Sequence, residues 1–189
     1  MSTLSNQDLA EAKALPPRAL NEEAFHQGPP EIDPLERPPA GHFEGRYHTM
    51  AERPPLYCST GSEMAAMMEQ VRHTDLENLS SSPLPVRRLT AFRVRNLRVV
   101  DYDNDLALEI CSLVRAQLLE DDWTITQQLA GLARGRGDVH GLVGPSAGHP
   151  EAKTIVIFHE AIAGHVEVLS ERTVQLQLVE TPATRGTGA

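Results

Sequence analysis

Apolar and polar residues alternate along the middle of the chain, and this pattern predicts its strands. Between Val86 and Tyr102, Phe92 and Val94 alternate with arginines, the period of two expected of a β-strand with one buried face. Shorter apolar runs, several of them bounded by glycine or proline, predict further strands. These runs are HFEGRYHTM (42–50), PPLYCS (54–59), VHGLVG (139–144), KTIVIF (153–158), VEVLS (166–170) and VQLQLV (174–179).

Apolar residues at helical spacing predict four helices. The first spans 6–15 and ends at a pair of prolines, because proline cannot continue a helix. The second follows a capping box that runs from Thr60 to Glu63. The third and fourth are predicted over 105–119 and 123–135. The buried stripe of the second helix is predicted to be Met64, Met67, Met68 and Val71.

The order of these elements indicates the fold class and the domain boundaries. Strands, a helix, strands, two helices and strands follow one another without regular βαβ alternation, which predicts an α+β fold with a mainly antiparallel sheet. Seven of the 14 prolines lie in the first forty residues, which are also acidic. We therefore expect a partly disordered N-terminal extension over 1–40, a folded domain over 41–180 and a disordered tail over 181–189.

Charge and hydropathy exclude two classes of function. The 189 residues carry a formal net charge of −9 at pH 7, so the chain repels nucleic-acid phosphates and is not expected to bind nucleic acid directly. No apolar run approaches the length of a membrane span, and the N-terminus has no apolar signal region. A cytoplasmic protein that does not associate with membranes is the expectation.

The segment GPSAG, Gly144 to Gly148, matches the G-x-S-x-G nucleophile elbow of serine hydrolases. An elbow needs a helix directly after the serine, but Ser146 is soon followed by the strongly β-forming run KTIVIF. The acid and base would have to be a later glutamate and His165. A serine hydrolase using Ser146 is kept as a third hypothesis, and a simple turn serine is the plainer interpretation of this pattern.

No metal site is predicted. In HEAIAGH, His159 to His165, the second histidine is six residues after the first, whereas a zincin needs it four residues later so that both imidazoles share one helix face. The two cysteines, Cys58 and Cys111, have no CxxC partner. No metal and no prosthetic group are therefore expected.

Three dispersed polar residues suit the recognition of a nucleotide. The guanidinium of Arg46 matches a phosphate, the ring of Tyr57 can stack on a planar base, and the carboxylate of Glu69 suits a ribose hydroxyl or a developing cation. Neighbouring antiparallel strands are expected to bring Arg46 and Tyr57 together, with Glu69 on the following helix. The alternative for Glu69 is a surface ion pair with Arg72 or His73.

These motifs, in their order along the chain, resemble the RES domain family, the toxins of RES–Xre toxin–antitoxin pairs. The matching segments are GRYH (45–48), LYCS (56–59), AAMME (65–69), DDWTITQQLA (121–130), GLVGPSA (141–147) and IVIF (155–158). The resemblance covers about 41–178 and implies an ADP-ribosyltransferase-like fold with a split sheet and flanking helices. It also implies that NAD⁺ is the substrate, consumed by hydrolysis, phosphorolysis or ADP-ribosyl transfer to protein.

The resemblance assigns a role to each matched residue. Arg46 would bind the NAD⁺ phosphate or ribose, Tyr57 would stack on nicotinamide, and Ser146 would hydrogen-bond the nucleotide. Glu69 would steady the oxocarbenium-like transition state, with Glu63 as a competitor for that role. The implied partner is an Xre-type antitoxin, in a complex that can contain a homodimer of the toxin. A catalytically silent nucleotide- or protein-binding member of the fold is the alternative.

Overall fold

The computed structural model describes residues 3–72 and 85–175. Two short 3₁₀ helices, Arg115–Leu119 and His159–Ala161, accompany the α-helices. The α-helices are α1 (Asn6–Ala14), α2 (Glu63–Arg72), α3 (Asp105–Ile110), α4 (Thr124–Arg134) and α5 (Ile162–His165). The strands are β1 (Arg18–Gly28), β2 (Leu56–Ser59), β3 (Arg87–Asp101), β4 (Gly141–Pro145), β5 (Lys153–Ile157) and β6 (Val166–Val174).

The six strands form one sheet that closes on itself. Their order is β1-β2-β5-β4-β3-β6, and β1 also pairs with β3, so the first five strands make a ring with β6 attached outside it. Only the β3–β4 pair is parallel among these pairings. The predicted α+β class and the mainly antiparallel sheet are therefore confirmed. The described strands belong to a single barrel-like sheet, and the ADP-ribosyltransferase-like split arrangement that the resemblance implied stays a prediction.

Apolar side chains fill the ring and also cover its outer face. Because strand residues alternate in direction, every strand of the ring contributes to an inner cluster, which consists of Leu20, Ala24, Leu56, Cys58, Phe92, Val94, Leu97, Val99, Val143, Ile155 and Ile157, with Ala161 and Ile162. A second cluster joins the outer face to α1, α3 and α4. Its strand members include Val100, Leu142 and Val156, and its helix members include Ala12, Ala107 and Leu129.

The N-terminal region is part of the folded domain, which corrects the boundary predicted at residue 41. The short helix expected before Pro16 is present as α1, but β1 follows it and pairs along most of its length with β3. The sequence pattern does not predict strand β1, because its sequence, RALNEEAFHQG, is largely polar. Only Leu20 and Ala24 of that strand are fully buried.

The predicted strand over 42–50 is wrong, and the predicted helix over 105–119 is shorter than expected. Residues 45–48 form a tight turn, in which the Gly45 and His48 backbones bond to each other. The helix ends at Ile110, and Ser112, with φ 52°, breaks the chain direction before the 3₁₀ turn. The strand predicted at 174–179 and the tail at 181–189 lie almost wholly outside the described residues.

Helix α2 begins and packs differently from its sequence pattern. Ser62 caps it by accepting a hydrogen bond from the Ala65 amide at 3.3 Å, so Thr60 is not the cap. The side chain of Met64 is 57% exposed, whereas Ala65, Ala66 and Met67 are buried. Two small alanines on the buried face let the helix lie close to the sheet. Within 3–72 and 85–175, no helix is both long and apolar enough to cross a bilayer.

Candidate functional site

A cavity of about 450 Å³ lies beside β2, α2 and the turn at 45–48. Its volume is in the range of small-molecule sites. Three of the four residues proposed from sequence line it, namely Arg46, Tyr57 and Glu69, and Ala147 lines it immediately after the fourth, Ser146. Other lining residues include Phe25, His26, Gln27, Arg37, Phe43, Glu44, His48, Cys58 and Trp123.

Arg46 is held at the cavity by the turn and by two backbone carbonyls. The turn places Arg46 and Tyr47 at its two central positions, between Gly45 and His48. One terminal nitrogen of Arg46 donates to the carbonyls of Leu118 at 2.8 Å and Glu120 at 2.7 Å. A cation therefore caps the carbonyl end of the 3₁₀ helix, and this contact fixes where the guanidinium lies.

The Tyr57 hydroxyl links β2 to the turn. It accepts a hydrogen bond from the Tyr47 amide at 3.0 Å and lies 2.9 Å from Nδ1 of His48. Nε2 of His48 lies 3.2 Å from the Phe43 carbonyl, which can only accept, so Nε2 carries the hydrogen. Burial lowers the pKa of His48, so the neutral ring takes the Tyr57 hydrogen at Nδ1. Burial likewise raises the pKa of Tyr57, which keeps its proton.

Glu69 and Ser146 are joined directly. The Ser146 hydroxyl donates to Oε1 of Glu69 at 2.6 Å, and the Gly148 amide donates to the same oxygen at 3.0 Å. Among the described residues these are the donors to Glu69, both of them to Oε1, and the Glu69 side chain lines the cavity. The chain approaches α2 so closely here that a Cβ on Gly148 would lie 2.7 Å from the Glu69 amide nitrogen. The β4–β5 loop therefore fixes the position of the carboxylate.

Glu63, the competing acid, faces away from this arrangement. Its side chain is 44% exposed and forms a salt bridge with Arg172 on β6. It does not line the cavity. Of the two acids, only Glu69 lines the cavity. The ion pair of Glu69 with Arg72 or His73 that the sequence also allowed falls on side chains outside the described part of the chain.

Ser146 has the surroundings of a positioning group. Its hydroxyl gives its hydrogen to Glu69 and accepts one from the His149 amide at 3.1 Å. The chain after it turns into β5 instead of entering a helix. Within the described residues no imidazole is hydrogen-bonded to Ser146, so the activated nucleophile of the serine-hydrolase hypothesis is not formed.

Comparison with known proteins identifies the family to which this chain belongs. The family model of the RES domain matches residues 17–178. The chain belongs to the RES domain family. It is 28% identical, over 155 residues, to a probable NAD(+) phosphorylase of Mycobacterium tuberculosis (strain ATCC 25618 / H37Rv), covering 82% of this chain and 73% of that protein. Its fold is similar to the crystal structure of the M. tuberculosis MbcT–MbcA toxin–antitoxin complex, with a TM-score of 0.70, 22% identity and coverage of 92% and 94% of the two chains.

The RES domain carries two further residues beside the cavity that the sequence motifs contain but the site prediction omitted. Gln127 on α4 donates to the carbonyls of Gly45 at 3.0 Å and His48 at 3.2 Å, and so holds the turn that carries Arg46. Trp123, at the start of the same helix, lines the cavity. Both lie in the matched segment DDWTITQQLA, so the signal was present in the sequence.

The cavity-lining residues of the N-terminal region lie outside every matched family motif. His26 and Arg37 lie in the segment predicted to be loosely ordered, yet both line the cavity. Nδ1 of His26 donates to the Tyr57 carbonyl at 2.8 Å, and burial lowers the pKa of His26 to about 4. No cluster of three His, Cys, Asp or Glu side chains suited to a metal ion occurs in 3–72 and 85–175.

Proposed function

We propose that this RES domain is an NAD⁺-consuming toxin that breaks the bond between ribose and nicotinamide and is neutralised by an antitoxin. Membership of the family, the relative named as an NAD⁺ phosphorylase and the fold shared with a toxin–antitoxin complex support this function. The observation that carries it in this chain is the Ser146–Glu69 pair at the edge of the cavity. The carboxylate of this pair lines the same cavity as Tyr57 and Arg46.

The proposed chemistry needs little nucleophilic strength from the protein, because the pyridinium of NAD⁺ is a good leaving group. The bond between ribose C1 and the nicotinamide nitrogen breaks, its electron pair leaves with nicotinamide, and positive charge develops on the ribose. Oε2 of Glu69 stabilises that charge, since preorganised groups act most strongly where charge appears in the transition state. Ser146 and Gly148 hold the carboxylate in place, Tyr57 stacks on nicotinamide and Arg46 binds a phosphate or ribose oxygen.

The acceptor oxygen then bonds to ribose C1 and completes the reaction. Water, inorganic phosphate and a protein side chain are the three acceptors considered, and the relative named as a phosphorylase favours phosphate. An ADP-ribosyltransferase-like mode of NAD⁺ binding and an Xre-type antitoxin, in a complex that contains a homodimer of the toxin, belong to the same proposal. If the chain is instead a catalytically silent binding protein, it should bind its nucleotide or protein ligand and release no nicotinamide.

Incubation of the purified chain with NAD⁺, with and without inorganic phosphate, tests the proposal. We expect free nicotinamide together with a phosphorylated ADP-ribose when phosphate is present. Arg46→Ala should weaken NAD⁺ binding by about ten- to a hundredfold, because a hydrogen bond to a charged group contributes about 1.5–3 kcal/mol. Intact NAD⁺ after prolonged incubation with folded protein at micromolar concentration would contradict the enzymatic function and favour the silent alternative.

A further inference from the structure

A guanidinium outside the family motifs also faces the cavity. Arg37 lies in the loop between β1 and β2 and lines the cavity together with Arg46. Within 3–72 and 85–175, four charged residues line it, and the other two are Glu44 and Glu69. The roles proposed above use Arg46 and Glu69, so Arg37 is a cation with no assigned task.

The loop that carries Arg37 is anchored by arginines from elsewhere in the chain. Arg88 of β3 donates to the carbonyls of Pro30 and Ile32, the latter at 3.2 Å. Arg53 donates to the backbone carbonyl of Arg37 itself at 2.9 Å. These contacts fix the backbone of the loop before Arg37 and at Arg37 itself, so the side chain extends to the cavity from a defined position.

The Arg37 side chain is only partly satisfied by protein groups. Its Nη2 donates to the Pro34 carbonyl at 2.8 Å, but its Nε is buried and has no hydrogen-bond partner in the described part of the chain. No carboxylate there forms an ion pair with it, and burial lowers the pKa of the guanidinium. A buried donor without a partner costs free energy that a bound acceptor recovers.

We propose that Arg37 is a phosphate-binding residue of this cavity. The planar fork of a guanidinium matches the oxygens of a phosphate, and arginine keeps its charge even when it is partly buried. The inference rests on the proposed function for its ligand, which is either the diphosphate of NAD⁺ or the inorganic phosphate that accepts the ribosyl group. Both present the same oxyanion to Arg37, so the experiment must separate them.

Two titrations of the full chain distinguish these sources. In the first, inorganic phosphate is titrated by calorimetry into protein without NAD⁺. In the second, NAD⁺ is titrated in phosphate-free buffer into the Glu69→Gln protein, which is expected to bind NAD⁺ but turn it over slowly. Arg37→Gln should weaken binding by about ten- to a hundredfold in the first titration if Arg37 holds the acceptor, or in the second if it holds the diphosphate.

The matched control is Arg95→Gln, which removes the same charge from an exposed ion pair with Glu167; neither residue lines the cavity. Arg37→Lys keeps the charge but loses the fork, and it should bind with intermediate affinity even if Arg37→Gln fails to fold. Arg37 variants that match Arg95→Gln in both titrations would overturn the inference. If neither probe binds its reference protein, phosphate the wild type and NAD⁺ the Glu69→Gln protein, both with Arg37 intact, the inference is overturned as well.

Nicotinamide release by the wild-type chain separates this inference from the proposed function. If Arg37 contributes to phosphate or NAD⁺ binding but no nicotinamide is released, the enzymatic function fails and the assignment of Arg37 stands. If nicotinamide is released and Arg37→Gln changes neither the KM for phosphate nor the KM for NAD⁺, the function stands and Arg37 is only a structural residue of the loop.

Discussion

Two hydrogen bonds to one oxygen set the position of the Glu69 carboxylate. The donors are a hydroxyl and an amide from the same loop, Ser146 and Gly148, so loss of either still leaves the other. The side chain that they hold lines the cavity. At the scale of single residues, the proposed chemistry therefore depends on a carboxylate whose orientation is fixed by a neighbouring segment and whose charge acts on the substrate.

Glu69→Gln should lower the rate of nicotinamide release by about a hundredfold or more, the scale of other preorganised electrostatic groups. The amide keeps the size of the side chain and some hydrogen bonding but lacks the charge that acts in the transition state, so NAD⁺ should still bind. Glu63→Gln is the matched control, because its salt bridge with Arg172 lies on the surface. Steady-state kinetics on both variants decide which glutamate is catalytic. If Glu63→Gln is inactive and Glu69→Gln is active, the catalytic role belongs to Glu63.

Tyr57 has two separable parts, a ring that lines the cavity and a hydroxyl that joins β2 to the turn. Tyr57→Phe keeps the ring but leaves the Tyr47 amide and Nδ1 of His48 without their partner. It should lower the free energy of unfolding by about 1–3 kcal/mol and change NAD⁺ affinity less than Tyr57→Ala does. Urea unfolding and calorimetry on the two variants measure the two effects. Equal NAD⁺ affinity in both would remove the stacking role.

His26 should make the protein less stable in mild acid. Burial lowers its pKa to about 4, below the ordinary 6.5, so the unfolded chain binds more protons between those values. The free energy of unfolding should therefore fall as the pH drops from 6.5 to 4, by about 3 kcal/mol at most from this residue. His26→Asn, whose amide can replace the Nδ1 donor, should have a flatter profile in denaturant unfolding at a series of pH values. Identical profiles would contradict this account.

Helix α2 and the β4–β5 loop form the element-scale part of the site. The absence of a side chain at Gly148 lets the loop lie against the backbone of α2 at Met68 and Glu69. Here the sequence was a partial guide. The helix, its alanines and the serine segment were all found from motifs, but the contact between Glu69 and Ser146 depends on how closely the helix and the loop pack, which no local pattern contains.

Gly148→Ala should move this contact without removing any functional group. The added methyl would lie 2.7 Å from the Glu69 amide nitrogen and 2.9 Å from its Cα, so the helix backbone must shift. Because small misplacements of a catalytic group are costly, nicotinamide release should fall by about ten- to a hundredfold. Gly131→Ala on α4 is the control, since nothing lies within 4 Å of its added methyl. Wild-type activity in Gly148→Ala would show that the loop does not position Glu69.

At the scale of the whole molecule, the closed sheet explains which parts of the fold could be predicted. Strands β2, β3, β4 and β5 alternate or are strongly apolar, so their sequences identify them. Strand β1 is held mainly by its pairing with β3, and its polar sequence resembles that of a loop. Arg37 and His26 are not predictable as site residues for the same reason, because the segment that brings them to the cavity has the composition of a loose extension.

Leu20→Ala should destabilise the protein by about 2–5 kcal/mol, the cost of truncating a buried leucine. Leu20 is 1% exposed and belongs to the cluster inside the ring. Glu22→Ala, at an exposed position of the same strand, should change the stability little. Urea unfolding midpoints measure both. If the two variants unfold at the same urea concentration, β1 is not an integral strand of the ring.

The closure of the ring also has a consequence for biosynthesis. Strand β1 pairs with β3, so that Arg18 lies opposite Val99 and Gly28 lies opposite Arg88, far apart in the sequence. Strand β5 inserts between β2 and β4. Contacts so distant in sequence slow folding, because a long loop must be ordered before they form. On the ribosome β5 is the last strand of the ring to emerge, and the serine loop emerges just before it. A partly synthesised chain therefore has neither the closed ring nor the fixed carboxylate, and the proposed activity requires that translation has passed β5.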